Sequence, residues 1–161
     1  MQTGQVVGVG ELVEKLAAQR RERQKIVFTN GCFDLLHPGH VGYLEEARQL
    51  GDLLVVGLNS DASIRRLKGD KRPIMPEAAR ARLLAGLAAV DYVVIFAEDT
   101  PYELIRRVEP DILVKGGDWP AEAIVGRDLV EARGGRVLSL PLVESFSTSS
   151  IITTIVERYA S

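Results

Sequence analysis

Apolar positions along the chain fall into two alternating kinds of run. Short runs rich in β-branched and other apolar residues occur at 25–29 (KIVFT), 52–58 (DLLVVGL), 92–96 (YVVIF), 111–114 (DILV) and 136–140 (RVLSL). Between them apolar residues recur at helical spacing, with Leu12, Val13, Leu16 and Ala17 over 10–23 and Val41, Leu44, Ala47 and Leu50 over 41–50. Further helices are expected near 61–67 and 77–88, with Leu67, Leu83, Leu84 and Leu87 packed against neighbouring helices. Thr100 is expected to cap a helix with Pro101 at its first position, and a last helix to start near Ser147. None of the strands alternates apolar with polar residues, so each is expected to be covered on both faces. The pattern predicts one doubly wound α/β domain with a five-stranded parallel sheet over 25–161. Before it, 1–24 reads as a frayed lead-in and a helix whose Arg20-Arg21-Glu22-Arg23 end lies in solvent. No linker, repeat or low-complexity tract divides the chain.

Composition narrows the class. The 161 residues are 46% apolar and 26% charged, ordinary for a globular domain with a real core. A net charge of −2 supplies no global positive field, so nucleic acid is not an expected partner. Cys32 is the single cysteine and cannot form an internal disulfide, which fits a reducing compartment. No apolar run approaches the roughly 20 residues of a membrane span, and the first residues lack the pattern of a signal peptide. These features lead to the expectation of a cytoplasmic protein without a membrane partner.

Ligands of doubly wound sheets bind beyond the carboxyl ends of the strands, where the strand order reverses. Four clusters fall at such places. The first, after the first strand, is Asn30-Gly31-Cys32-Phe33-Asp34-Leu35-Leu36-His37-Pro38-Gly39-His40. Pro38 biases His37 toward extended backbone, Gly39 opens the backbone to a phosphate, and His40 heads the next helix. His37 and His40 are the two histidines of the chain. Two imidazoles at a helix start suit a phosphate whose charge grows in a transition state. With Cys32 they could suggest zinc, but no carboxylate or second cysteine completes a ligand set, and no protein-bound metal is expected. Cys32 itself reads as a small core residue.

The second cluster, 65–72, carries Arg65, Arg66, Lys68, Lys71 and Arg72, with Arg80 and Arg82 on the following helix. It is either a phosphate clamp or a solvated basic loop. The third, Lys115-Gly116-Gly117-Asp118-Trp119, follows the fourth strand and offers exposed backbone and a stacking face, or a plain turn. The fourth, Ser145-Phe146-Ser147-Thr148-Ser149-Ser150, opens the last helix, where hydroxyls cap and free N–H groups attract phosphate.

Together these residues resemble the HxGH-type nucleotidyltransferases of the cytidylyltransferase-like superfamily. His37-Pro38-Gly39-His40 matches the signature, and Ser147-Thr148-Ser149 resembles the family's serine/threonine motif. Within it, FTNGCFDLLHPGH, GDLLVVGLNSDASIRRLKGDKRP and PDILVKGGDW are similar to the heptose 1-phosphate adenylyltransferases, which make ADP-heptose, a lipopolysaccharide precursor. Such enzymes are often fused to a heptose-phosphate kinase, and no kinase half is present, so a stand-alone form is expected. The resemblance implies a Rossmann-like strand order of 3-2-1-4-5. It also implies transfer of AMP from ATP to a sugar 1-phosphate, with Mg²⁺ accompanying ATP, and a homo-oligomer, most simply a dimer.

The implied catalytic residues are His37, His40 and Lys68. Those bordering substrate or nucleotide are Asn30, Gly31, Cys32, Phe33, Asp34, Gly39, Asn59, Arg80, Lys115, Gly116, Gly117, Asp118, Trp119, Ser147, Thr148 and Ser149. Arg80 and Lys68 would neutralise phosphates, and Asp34 would orient a histidine or shape its loop. Two departures stand out. The related glycerol-3-phosphate cytidylyltransferases carry an arginine shortly before the serine/threonine motif, where this chain has Leu142, Val143 and Glu144. Other HxGH enzymes carry a basic residue after it, where Ile151, Ile152 and Thr153 stand. The alternatives are a glycerol-phosphate cytidylyltransferase, another small-phosphate nucleotidyltransferase, or a nucleotide-binding regulator without catalysis.

Overall fold

The computed structural model describes residues 3–142 and 146–161. Val143, Glu144 and Ser145, part of the stretch expected to lead into the last helix, lie outside the described residues. Six strands form one sheet: β1 (Gln5–Val6), β2 (Ile26–Gly31), β3 (Leu53–Asn59), β4 (Tyr92–Phe96), β5 (Ile112–Gly116) and β6 (Arg136–Leu140). All pairings are parallel. The order across the sheet is β1-β4-β3-β2-β5-β6, which corrects the expected five-stranded sheet of order 3-2-1-4-5, counted from β2, to six strands. The strand not foreseen is β1, added at the edge beside β4.

That strand comes from the segment read as a frayed lead-in. Two apolar residues give too short a run to register as a strand, yet the backbone is pinned. The N–H groups of Gly4, Gln5 and Val7 donate to the carbonyls of Ala85, Asp91 and Val93 at 2.8–2.9 Å. The following helix, α1 (Val9–Arg21), buries Leu12 and Leu16 completely. Its basic end is also not simply solvated. Arg20 donates to the carbonyls of Val108 and Glu109, closing the C-terminus of α5 (Tyr102–Val108).

The strands alternate side chains between two apolar layers. Ile26, Phe28, Val55 and Val94 face one layer with Leu12, Leu16, Leu104, Ile105, Val108 and Val130, from α1, α5 and α6 (Arg127–Ala132). Val27, Leu54, Val56 and Val93 face the other with Leu44, Ala47, Ala81 and Leu84, from α2 (Pro38–Gln49) and α4 (Glu77–Ala85). Leu67, on α3 (Asp61–Lys68), and Leu83 were expected to pack inward, but they are 53% and 44% exposed. Their neighbours Ile64 and Leu84 take the core positions. Helix α5 begins one residue later than expected, with Pro101 as its N-cap. The chain ends in α7 (Thr148–Tyr159).

Since Leu16 has no exposed surface, Leu16→Ala should destabilise the fold by about 2–5 kcal/mol, read from urea unfolding. An unchanged midpoint would mean that α1 contributes nothing to the core.

Candidate active site

The loops after β2, β3, β5 and β6 converge on a cleft of about 320 Å³ at the carboxyl ends of the central strands. Of the residues singled out in the sequence, Asn30, Gly31, Cys32, Phe33, Asp34, His37, Gly39, His40, Lys68, Lys115, Gly116, Ser147, Thr148 and Ser149 line it.

The centre of the cleft is the histidine pair. Helix α2 begins at Pro38, three residues earlier than the apolar repeat predicts, so His40 lies within its first turn. His37 is its N-cap, in extended backbone (φ −141°, ψ 169°), as Pro38 requires of the residue before it. Its Nδ1 accepts from the Gly39 N–H at 3.1 Å. With Nδ1 occupied as an acceptor, neutral His37 carries its proton on Nε2. The two imidazoles stack at 3.7 Å between centroids and 23° between planes. Phe33 meets His40 edge-on at 5.2 Å, and Phe146 faces His37 at 6.1 Å. Gly31 permits this packing, because a Cβ there would come 2.9 Å from the Phe33 ring.

Burial, the neighbouring His37 and Lys68 depress the pKa of His40 to about 4, and burial lowers that of His37. Both rings are therefore neutral at pH 7. The buried Nδ1 of His40 has no hydrogen-bond partner among the described residues. Neutral imidazoles beside Lys68 form a site whose protonation becomes favourable when a polyanion enters.

Asp34 is almost fully buried, and its carboxylate is fully engaged. It accepts from Arg72 Nε at 2.8 Å, from the Ile74 N–H at 2.8 and 3.0 Å, and from the Met75 N–H at 2.8 Å. Burial alone would raise its pKa, but the two N–H groups and Arg72 outweigh it, and the net shift is downward. Asp34 thus shapes a loop, the 69–76 strap between α3 and α4, and does not orient a histidine.

Arg80 is the clearest correction. Its guanidinium has no exposed surface and donates to Met75 O, Cys32 O and Asn59 O at 2.8–2.9 Å and to Asp61 at 2.7 Å. Four of its five N–H donors are taken, the group is sealed from solvent, and Arg80 does not line the cleft, so it is not placed to neutralise a phosphate there. A helical pattern cannot separate an arginine turned inward from one turned outward at the edge of an apolar face. Asn59 is likewise buried, its side chain on Ser63 at 2.9 Å.

Gly117, Asp118 and Trp119 stand outside the cleft lining. Trp119 folds back, its Nε1 donating to Gly116 O at 3.1 Å, with Lys115 Nζ 5.3 Å from its ring. Gly117 turns the chain there at φ 103°, a left-handed conformation that favours glycine.

On the same side of the cleft as Lys115, α7 opens with a reciprocal cap. Ser147 Oγ accepts from the Ser150 N–H at 3.0 Å, and Ser150 Oγ from the Ser147 N–H at 3.1 Å. The Thr148 and Ser149 N–H groups head the helix and have no intrahelical acceptor.

The sequence reading passed over four lining residues: Tyr43, Arg72, Leu142 and Phe146. Tyr43 is buried, off the apolar repeat of α2, and its hydroxyl pairs with Thr29 Oγ1 at 2.6 Å. Arg72 was one of five cations in the basic loop, with nothing local to single it out.

The profile of the cytidylyltransferase-like family matches residues 28–158. The chain belongs to this family. Membership makes it a nucleotidyltransferase. It is 61% identical over 148 residues to the bifunctional protein HldE of Syntrophotalea carbinolica, covering 92% of this chain and 30% of that protein. The HldE of Trichlorobacter lovleyi is 59% identical over the same share of each. The chain therefore spans about 30% of the length of these relatives. Among solved structures it is similar to a lipopolysaccharide core biosynthesis protein from Thermoplasma volcanium, with TM-score 0.60 and 31% identity over 76% of this chain and 99% of the other. Pantothenate synthetase from Thermus thermophilus shares the fold, at TM-score 0.60 and 18% identity over 94% of this chain and 71% of the other. Among the described residues no helix is long and apolar enough to cross a membrane.

Below pH 6.5 the unfolded chain takes up a proton that folded His40 refuses until about pH 4. The unfolded state then binds more protons, so stability should be level above pH 6.5 and fall as pH drops from 6.5 toward 4. His40→Gln should flatten that decline in melting temperature. A slope identical to that of the wild type would assign the decline to other groups.

Proposed function

We propose that the chain transfers AMP from ATP to D-glycero-β-D-manno-heptose 1-phosphate, forming ADP-heptose and releasing pyrophosphate. The observation that carries the reading is the stacked His37–His40 pair in a cleft bordered on one side by Lys68 and on the other by Lys115 and the head of α7. The resemblance of the strings FTNGCFDLLHPGH and PDILVKGGDW supports the adenine nucleotide and the heptose, and the name of the Thermoplasma volcanium protein supports a role in lipopolysaccharide core biosynthesis.

The sugar phosphate is already an anion and attacks the α-phosphorus directly while pyrophosphate leaves from the opposite side. Such a nucleophile needs no general base, so the protein contributes position and charge stabilisation. His37 Nε2–H and the His40 ring donate to the α-phosphate and the leaving oxygen, and Lys68 balances the charge of the α-phosphate from the β3 side. Ser147, Thr148 and the free N–H groups of α7 hold the outer phosphates. Lys115 and Gly116 border the nucleoside, with Trp119 behind Lys115.

Mg²⁺ entering with ATP would be held by phosphate oxygens and water and would supply charge neutralisation. The cleft's own carboxylate, Asp34, has both oxygens engaged. Among the described residues no group of three or more His, Cys, Asp or Glu side chains is arranged to hold a metal.

A grid of nucleoside triphosphates against sugar and alcohol phosphates tests the assignment. ATP with heptose 1-phosphate should give the highest kcat/KM. CTP with glycerol 3-phosphate in that place would overturn the substrates and leave the reaction class standing. No pyrophosphate from any pair would indicate a nucleotide-binding regulator.

His37→Ala and His40→Ala should each lower kcat by roughly 10²–10³ with little change in ATP Kd, because the rings act on charge that appears in the transition state. Full activity in both variants would leave the pair a structural role only.

A further inference from the structure

The basic loop sends two cations to the cleft, and they are held differently. Lys68 ends α3 with its side chain exposed. Arg72 is 15% exposed and anchored through Nε alone, 2.8 Å from an Asp34 oxygen whose side chain is 1% exposed. Asp34 spends its remaining capacity on the Ile74 and Met75 N–H groups, so it does not grip the guanidinium by two nitrogens. Among the described residues no partner takes the two terminal nitrogens of Arg72. A planar fork held by one edge beside a cleft is prepared to receive an oxyanion with two parallel hydrogen bonds.

The sheet order decides which oxyanion. His37 and His40 follow β2 at the centre. On one side lie β5 and β6, whose loops bring Lys115 and the Ser147–Ser149 head of α7. On the other lies β3, followed by α3 and the strap that carries Arg72. In-line displacement requires the nucleophile and the leaving group to stand on opposite sides of the α-phosphorus. If pyrophosphate departs toward α7, the acceptor must enter from the β3 side.

We propose that Arg72, oriented by Asp34, binds the phosphate of the acceptor and not the outer phosphates of the nucleotide. The inference rests on the adenylyl-transfer reading above. Arg72 contacts substrate, whereas Asp34 is a positioning residue that acts through Arg72 and through the strap. The acceptor class that fits is a dianionic phosphate monoester, whose terminal oxygens match the fork while one oxygen stays free to attack.

Steady-state kinetics with ATP and heptose 1-phosphate test this on the wild type, Arg72→Ala, Arg72→Lys and Asp34→Asn. Losing a charge-assisted pair should raise the KM for heptose 1-phosphate by about 10–100-fold in Arg72→Ala, with the KM for ATP within about twofold of the wild type. Arg72→Lys should recover part of the loss, since it keeps the charge and loses the fork. Asp34→Asn should move the acceptor KM in the same direction, and the double variant should be no worse than Arg72→Ala alone, because the two act as one unit. Melting curves separate this from misfolding, and the two Arg72 variants decide the matter where Asp34→Asn does not fold. A raised KM for ATP in Arg72→Ala, or no change in either KM, overturns the assignment. A wild-type enzyme active only with a different phosphate ester overturns the heptose reading alone, and the same comparison run with that ester decides Arg72. Inactivity with every ester overturns both.

Discussion

The arrangement of the cleft depends on one buried cation. A guanidinium removed from water costs several kcal/mol unless its donors are satisfied, and Arg80 satisfies them on four different pieces of chain. Its partners are the carbonyls of Cys32 in the loop after β2, Asn59 at the end of β3 and Met75 in the strap, together with the Asp61 carboxylate at the start of α3. None of these pieces can shift without leaving a buried donor unpaired. Arg80 therefore fixes the histidine loop relative to the basic strap although it touches neither the cleft nor anything bound there.

A second ion pair extends the same construction outward. Asp34 leaves the histidine loop and captures Arg72 together with the backbone of Ile74 and Met75. The loop that carries the imidazoles and the strap that carries the cations are thus joined twice, once deep in the core and once at the cleft wall. In such a frame the histidines can stay neutral and close-packed at rest, because depressed pKa values keep two stacked rings from repelling each other. In the proposed reaction the incoming triphosphate brings the negative charge that these donors would meet. The site is prepared for an anion and uncharged at its centre until one arrives.

Across the sheet the same logic becomes direction. Cations and free N–H groups lie on both sides of the imidazole pair, and the strand order, not the sequence order, separates them. Residues 68–72 and 115–116 are both basic or glycine-rich loop segments, alike on paper. They differ because β3 and β5 pair with opposite edges of β2.

The sequence by itself determined the class of fold and the family. Unbroken apolar runs separated by helical repeats can bury both faces only as a parallel sheet between helices. His37-Pro38-Gly39-His40 announces the helix start because proline restricts the residue before it and opens the helix. Ser147 and Ser150 cap α7 for the same local reason. What the tertiary structure alone decided is whatever depends on which neighbour a side chain finds across the sheet. Two residues of β1 are too few to show a period, and only pairing with β4 makes them a strand. Leu67 and Leu83 share the composition of core leucines, yet register turns them outward. Arg80 and Arg72 are the same residue type eight positions apart, and the sequence favoured the wrong one for the cleft. One meets carbonyls and a carboxylate in the core, the other a single buried carboxylate at its edge. Charge is written in the sequence, but the partners that neutralise it or leave it available are long-range contacts that only the folded chain supplies.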